Sequence, residues 1–166
     1  MKTNGILAAV AVGGALSMAA SSAPAPAGAD GAAGPTKNPS ADRNPLSGYE
    51  GYCTWGAQEQ IHDHTGHYIK ALTGNADDWA DQAAAAGLTV VGEAQPHSIA
   101  VFSSALVGGV GHVAWVEAVN GRKITIIEMN FGPGASAGNG YHTTGFDVFD
   151  TRTVDDVPGM SYILIP

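Results

Sequence analysis

The chain has 166 residues, of which 45 % are hydrophobic, 13 % charged and 7 % aromatic, and its formal net charge is −8. Lys and Arg total only 7 and are scattered, so no basic patch exists to displace counterions from a phosphate backbone, and nucleic acid is excluded as an expected partner. The Gly-rich stretches 107–111 and 132–140 lack the strand, fingerprint and lysine that phosphate loops need, so no nucleotide cofactor is expected.

In chain order, the first element is a leader. Lys2 gives a positive start, and residues 6–20 are apolar, small and uncharged. That run is too short and too rich in Ala and Gly to favour a spanning helix. Small-x-small sites follow it, and cleavage after Ala27 or Ala29 avoids a proline just past the cut. Residues 1–29 therefore read as a signal peptide and the chain as exported, secreted or wall-associated, with no stable membrane anchor after cleavage. Residues 30–47 are Pro, Gly, Ala, Ser and Asn with few large apolar side chains, and read as a disordered linker. Residues 48–166 carry all three tryptophans, Trp55, Trp79 and Trp115, and are expected to form one domain, taken as monomeric.

Within that domain a helix is expected to open at Cys53, in a segment without proline and too polar for a strand. The spacing predicts a second helix, capped by Asn75, with Asp77 and Asp78 in its first turn, Trp79, Gln82, Ala83 and Ala86 at helical spacing, and Gly87 to end it. Strands are expected over 89–91, 98–102, 112–119, 124–130 and 162–165, rich in Val, Ile and aromatics and separated by Gly, Pro and Asn. Helices followed by strands imply an α+β domain with an antiparallel sheet.

Cys53 is the single cysteine, so an exported chain carries a thiol with no partner for a disulfide. Such a thiol asks for a base, because the thiolate is the nucleophile and a helix N-terminus beside an imidazolium lowers a thiol pKa. His112 opens the strand Gly111-His112-Val113-Ala114-Trp115-Val116 and is the candidate base. An acceptor on the following strand, Glu128 or Asn130, would hold its other ring nitrogen. Which one meets it depends on register: a two-residue Asn120-Gly121 turn puts His112 opposite Met129, whereas a glycine bulge at Gly121 pairs Ala118 with Arg122 and His112 with Glu128. The catalytic reading therefore expects that bulge.

The ordered segments Cys53-Thr54-Trp55, Gly74-Asn75-Ala76 with Trp79, Pro96 with Ile99-Ala100-Val101-Phe102, Gly111-His112-Val113-Ala114 with Val116, and Glu128-x-Asn130 resemble the CHAP family, the cysteine- and histidine-dependent amidohydrolases and peptidases of bacterial walls and phage lysins. The resemblance implies a papain-like fold, N-terminal helices on an antiparallel sheet, and hydrolysis of an amide bond in peptidoglycan. By it Cys53 forms a thioester, His112 acts as base and then acid, and Glu128 and Asn130 orient it. The bond is either the sugar to L-alanine amide or one within the stem or cross-bridge. Tyr52, Gly56 and His97 depart from the family's pattern, which has a polar residue, an aromatic and a glycine at these places. The acidic residues through which some relatives bind calcium ahead of the nucleophile are not matched by residues 44–49, and no cofactor or metal is expected.

Each residue has a structural alternative. Cys53 alone reads as a small buried hydrophobe, His112 as a hydrogen-bonded structural histidine, Glu128 as a solvated strand carboxylate and Asn130 as a turn residue. His62, His64 and His67 with Asp63 use zinc-type ligands at poor spacing and read as a polar helix face. His142 is placed near the cleft by position alone. The competing function is a catalytically silent exported wall-binding or surface module, or an effector acting on a non-wall amide.

Overall fold

The structure is a computed structural model and describes residues 40–166. The expected leader and the first part of the expected linker lie outside the described residues. The rest of that linker belongs to the fold. Strand β1 (Ser40–Ala41) pairs antiparallel with β2 (Tyr68–Ile69). Leu46 is buried in the core, and Asn44 donates to the Trp55 carbonyl and to Glu59 Oε1. Ordered structure thus starts ahead of the boundary expected at Gly48. One buried leucine and one satisfied buried amide anchor a run whose average composition conceals them.

Helix α1 (Cys53–Thr65) opens at the cysteine. Tyr52 precedes it in an extended conformation, and its carbonyl accepts the first helical bond from the Gly56 N–H at 2.9 Å. Gly66 ends the helix with φ +80°, and its N–H closes on the His62 carbonyl. The inner face presents Ala57, Ile61 and the fully buried Gln58. Gln58 is satisfied: its amide donates to the carbonyls of Ile69 and Leu72 and accepts from the Ile69 N–H. These bonds fix the helix along its axis, and with it the position of Cys53.

The second helix departs from expectation at its start. Residues Ala76–Asp78 form a 3₁₀ turn, and α2 (Trp79–Ala85) begins only after it. Asn75 stands extended ahead of the turn but makes no side-chain cap. The Asp77 N–H goes instead to the carbonyl of Val110, which ties this turn to the loop before His112.

The remaining elements are β3 (Val90–Val91), β4 (Ser98–Phe102), a short α3 (Ser104–Val107), β5 (His112–Asn120), β6 (Lys123–Met129), β7 (Phe149–Asp155) and β8 (Met160–Leu164). They form a six-stranded sheet in the order β3-β8-β4-β5-β6-β7, and all its pairings are antiparallel. Strand β7 was not expected from sequence, because it is a largely exposed edge strand of polar and β-branched residues rather than an apolar run. His97 takes φ +60° just before β4, a left-handed conformation that glycine adopts more readily, and its N–H bonds the Val116 carbonyl.

The β5–β6 register corrects the expected turn. Asn120 pairs with Lys123, so the loop is the two residues Gly121 and Arg122, and Ala118 faces Thr125 rather than Arg122. The bulge lies further back, between Val116 and Ala118. Its effect on parity is the expected one: beyond it Val116 pairs with Ile126 and Trp115 with Ile127, so Ala114 faces Glu128 and His112 stands diagonal to that carboxylate. The bulge also moves Ala118 off the His112 face and puts Val119, opposite Ile124, in its place.

Period-two alternation divides the core. Ile99, Val101, Val113, Trp115 and Ile163 pack with α1 and α2 residues such as Ile61, Trp79 and Ala83. Ala100, Phe102, Ala114, Val116, Ile126 and Tyr162 form a second cluster of strand residues. This is the expected α+β arrangement, with the N-terminal helices on an antiparallel sheet. No helix among the described residues is long and apolar enough to cross a membrane.

Candidate active site

Cys53 is the first residue of α1, where helical N–H groups have no intrahelical acceptor and the helix dipole favours an anion. His112 is the first residue of β5. The connection before it is tight: Gly111 has φ +78°, and a Cβ there would lie 2.8 Å from the Phe102 carbonyl oxygen and 2.9 Å from Asp77. A glycine at 111 is thus what lets the chain reach β5 at this point.

The structure brings Cys53, His112 and Glu128 together. His112 Nε2 lies 2.7 Å from Glu128 Oε2, and both side chains are almost fully buried. A carboxylate acceptor at Nε2 puts a proton on that nitrogen and leaves Nδ1 for the thiol. Burial pushes the Cys53 thiol up, but the hydrogen bond and charge of His112, aided by the backbone at Val113 and Thr54, outweigh it, and the pKa falls below the ordinary thiol value. Burial alone would lower His112; its bonds and charges to Cys53 and Glu128 raise it to about 9. Burial would raise Glu128, whereas His112 and Arg152 hold it below the usual carboxylate range. The shifts favour the charged form of each group, in a row that runs from the buried Cys53, His112 and Glu128 to the partly exposed guanidinium of Arg152.

Arg152 was not singled out from the sequence. It lies on β7 opposite Ile126, diagonal to Glu128, and its Nε donates to Glu128 Oε1. The run Phe149-Asp150-Thr151-Arg152-Thr153-Val154 gave no signal, because its two apolar residues fall on opposite faces of a strand and mark neither an element nor a site.

Asn130 has a different set of partners. It follows β6 with φ +54°, donates Nδ2 to the Tyr141 carbonyl at 2.9 Å, and accepts at Oδ1 from the N–H and hydroxyl of Thr143. These bonds hold the 141–143 segment beside the cleft, and no bond to His112 accompanies them. The carboxylate bound to His112 is that of Glu128, and Asn130 shapes the wall.

Tyr52, a departure from the family's pattern, has a definite place. Its hydroxyl donates to the Gly140 carbonyl at 2.8 Å and lies 2.9 Å from His142 Nε2, while its ring meets Phe146 edge-on. Since the single hydroxyl proton goes to Gly140, His142 Nε2 is the donor in the second contact. His142 in turn stacks on Phe146 at 3.7 Å. This clasp fastens the 140–146 loop to the residue before Cys53.

The other histidines diverge. His62 stacks on Tyr68, His64 stacks on Trp115 and bonds the Gln60 carbonyl, and His67 turns toward Thr65. Among the described residues no group of three His, Cys, Asp or Glu is arranged to hold a metal ion.

A cleft of about 680 Å³ opens over the thiol, lined by Cys53 and His112 with Tyr52, Asn75, Phe131 and Arg152 among others. It is large enough to take a peptide segment.

Comparison with known proteins bears on the family and the fold. The relatives include the secretory antigen SsaA of Staphylococcus epidermidis, 40 % identical over 86 residues, which are 51 % of this chain and 31 % of that protein. Secretory antigen SsaA2 of Staphylococcus aureus is 39 % identical over 85 residues, 51 % of this chain and 29 % of the relative. The match thus spans about a third of the length of these curated relatives. Among solved structures, the N-acetylmuramoyl-L-alanine amidase of Staphylococcus aureus superposes with a TM-score of 0.56 at 27 % identity, over 70 % of this chain and 31 % of that one. The fold is the papain-like one. The family profile described as CHAP domain matches residues 44–130, which include Cys53, His112, Glu128 and Asn130, and the chain belongs to the CHAP domain family.

Proposed function

We propose that the protein is an exported cysteine amidohydrolase or peptidase that cleaves an amide bond in peptidoglycan, with Cys53 as nucleophile, His112 as base and acid, and Glu128 as the group that orients it. The observation that carries this reading is the pairing of a thiol at a helix start with a histidine whose far nitrogen is bound to a buried carboxylate, at the floor of an open cleft. Membership of the family and the names of the amidase and the secretory antigens support it.

The Cys53 thiolate adds to the carbonyl carbon of the amide, and the carbonyl electron pair moves to oxygen. The Cys53 N–H, without an intrahelical partner, is placed to donate to that oxygen. His112 delivers the Nδ1 proton to the departing nitrogen, the C–N bond breaks and a thioester remains. Water then loses a proton to His112 and attacks the thioester, releasing the acid and regenerating the thiol. Glu128 keeps the proton on Nε2 through both steps and stabilises the imidazolium. Asn130 contributes by holding the 141–143 wall. Residues 1–29 serve as the export signal, and the domain works as a monomer without metal or nucleotide.

The test is to incubate the mature chain and its Cys53→Ala counterpart with peptidoglycans of several chemotypes and identify new ends by mass spectrometry. Products are expected only with the intact thiol, and their ends name the bond, amidase or endopeptidase. A folded, reduced protein that releases nothing from any wall would overturn the reading in favour of a silent binding module.

A further inference from the structure

The cleft contains a fixed positive charge that the hydrolytic steps do not use. Among the described residues Arg152 is the only lysine or arginine lining it, and no aspartate or glutamate of these residues lines it. Its Nε is bound to Glu128, and the guanidinium carbon lies 4.9 Å over the centroid of the Phe131 ring. Phe131 is itself held, since Gly145 packs so closely that a Cβ there would fall 2.4 Å from the ring. Two neighbours therefore fix the plane of the guanidinium. Yet the Arg152 side chain is 43 % exposed, and Glu128 takes only its Nε edge. Asp150, on the same sheet face, contributes a charge at longer range but no bond.

The charges in the row do not close on Arg152. Glu128 is shared by two cations, so His112, Glu128 and Arg152 together carry one net positive charge. The thiolate answers it at the His112 end, and at the other end Arg152 lines the cleft with only its Nε bonded to Glu128. A guanidinium presenting two parallel N–H donors matches a carboxylate better than any other common group in a peptide. In a chain of net charge −8, an anionic ligand is otherwise repelled, which makes one local anchor the more decisive.

We propose that the Nη edge of Arg152 is a carboxylate-binding subsite that seats a free carboxylate of the peptide flanking the scissile amide. The inference rests on the hydrolase reading for the identity of its ligand, and it gives Arg152 two roles: positioning Glu128 through Nε and selecting acidic over amidated substrate through Nη. Only the second is a contact with substrate.

The probes are a muropeptide bearing free carboxylates and the same muropeptide with each carboxylate converted to carboxamide. In the Cys53→Ala chain, calorimetry is expected to show the carboxylate form bound about tenfold or more tightly, and Cys53→Ala/Arg152→Gln to bind both forms alike. In the intact chain the same preference appears in KM. Arg152→Gln abolishes it while lowering kcat on both probes through the loss of the Glu128 contact. Arg152→Lys, which keeps the charge and loses the fork, is expected to cut the preference at least about threefold, and it serves where the Gln variant does not fold. Equal binding of the two probes by the Cys53→Ala chain, or a preference that survives both substitutions, would overturn the subsite. Selective binding without hydrolysis by the intact chain would leave the subsite standing and sink the hydrolase reading instead.

Discussion

At the scale of the residue, the site inverts the usual order of two titrations. The Cys53 thiol is lowered and His112 is raised to about 9, so both shifts favour the thiolate–imidazolium pair over the neutral one. As pH falls through the lowered thiol value, the thiolate is protonated and the proposed nucleophile is lost. As it rises through about 9, His112 gives up the proton that the leaving nitrogen needs. A bell-shaped profile of kcat/KM is expected, with its alkaline limb near pH 9, and alkylation of Cys53 by iodoacetamide should already be fast at neutral pH. In Glu128→Gln one of the charges that raise His112 is gone. The alkaline limb should move to lower pH, and kcat/KM should fall by about two to four orders of magnitude. Alkylation with a midpoint near about pH 8.5, the value of a free thiol, would contradict the ion pair.

At the scale of the element, His112, the proposed base, is positioned by the turn ahead of β5. Gly111 sits between the Phe102 carbonyl and the backbone of Asp77, neither of which can yield, whereas Gly121 at the β5–β6 turn has φ +60° and open space around it. Gly111→Ala is expected to cost about 1–3 kcal/mol and to displace His112, so activity should fall further than the loss of stability explains. Gly121→Ala should cost about 1–2 kcal/mol for its left-handed conformation and leave kcat/KM nearly intact. Urea midpoints and kinetics on the two variants check this, and equal activities would remove Gly111 from its positioning role. The β5–β6 hairpin also shows where sequence reasoning stops. Parity was legible, because a histidine and a carboxylate that must meet require it. The device was not. Asn120-Gly121 looks like a turn signal, while the extra residue that sets parity is Glu117, one polar residue in a strand with no local mark of a bulge.

At the scale of the whole molecule, the domain is closed by residues from outside the segment that composition marks as structured. Leu46 and Asn44 bury themselves against α1, and β1 pairs with β2. A chain beginning at Gly48 should be at least about 2 kcal/mol less stable to urea than one beginning at Ser40, chiefly from exposing the site that Leu46 covers. Identical midpoints would mean that these residues add nothing to stability. The far end matters equally, since β7 pairs with β6 along its length and supplies Arg152.

By itself the sequence determined the α+β class, the helix opening at Cys53, most of the strands and the identities of Cys53, His112 and Glu128 as residues to be brought together. These rest on local signals: an unpaired thiol, glycine at a helix end, apolar runs between turn residues, and an ordered set of short motifs. The tertiary structure decided which acceptor meets His112, because a register shift of one residue changes the face presented and is fixed by a bulge with no sequence signature. It also decided that Asn130 ties down the 141–143 wall, and that Arg152 reaches Glu128 across two strands. An exposed edge strand has no apolar periodicity to announce it, and its charged residue acquires a partner only when the sheet is assembled.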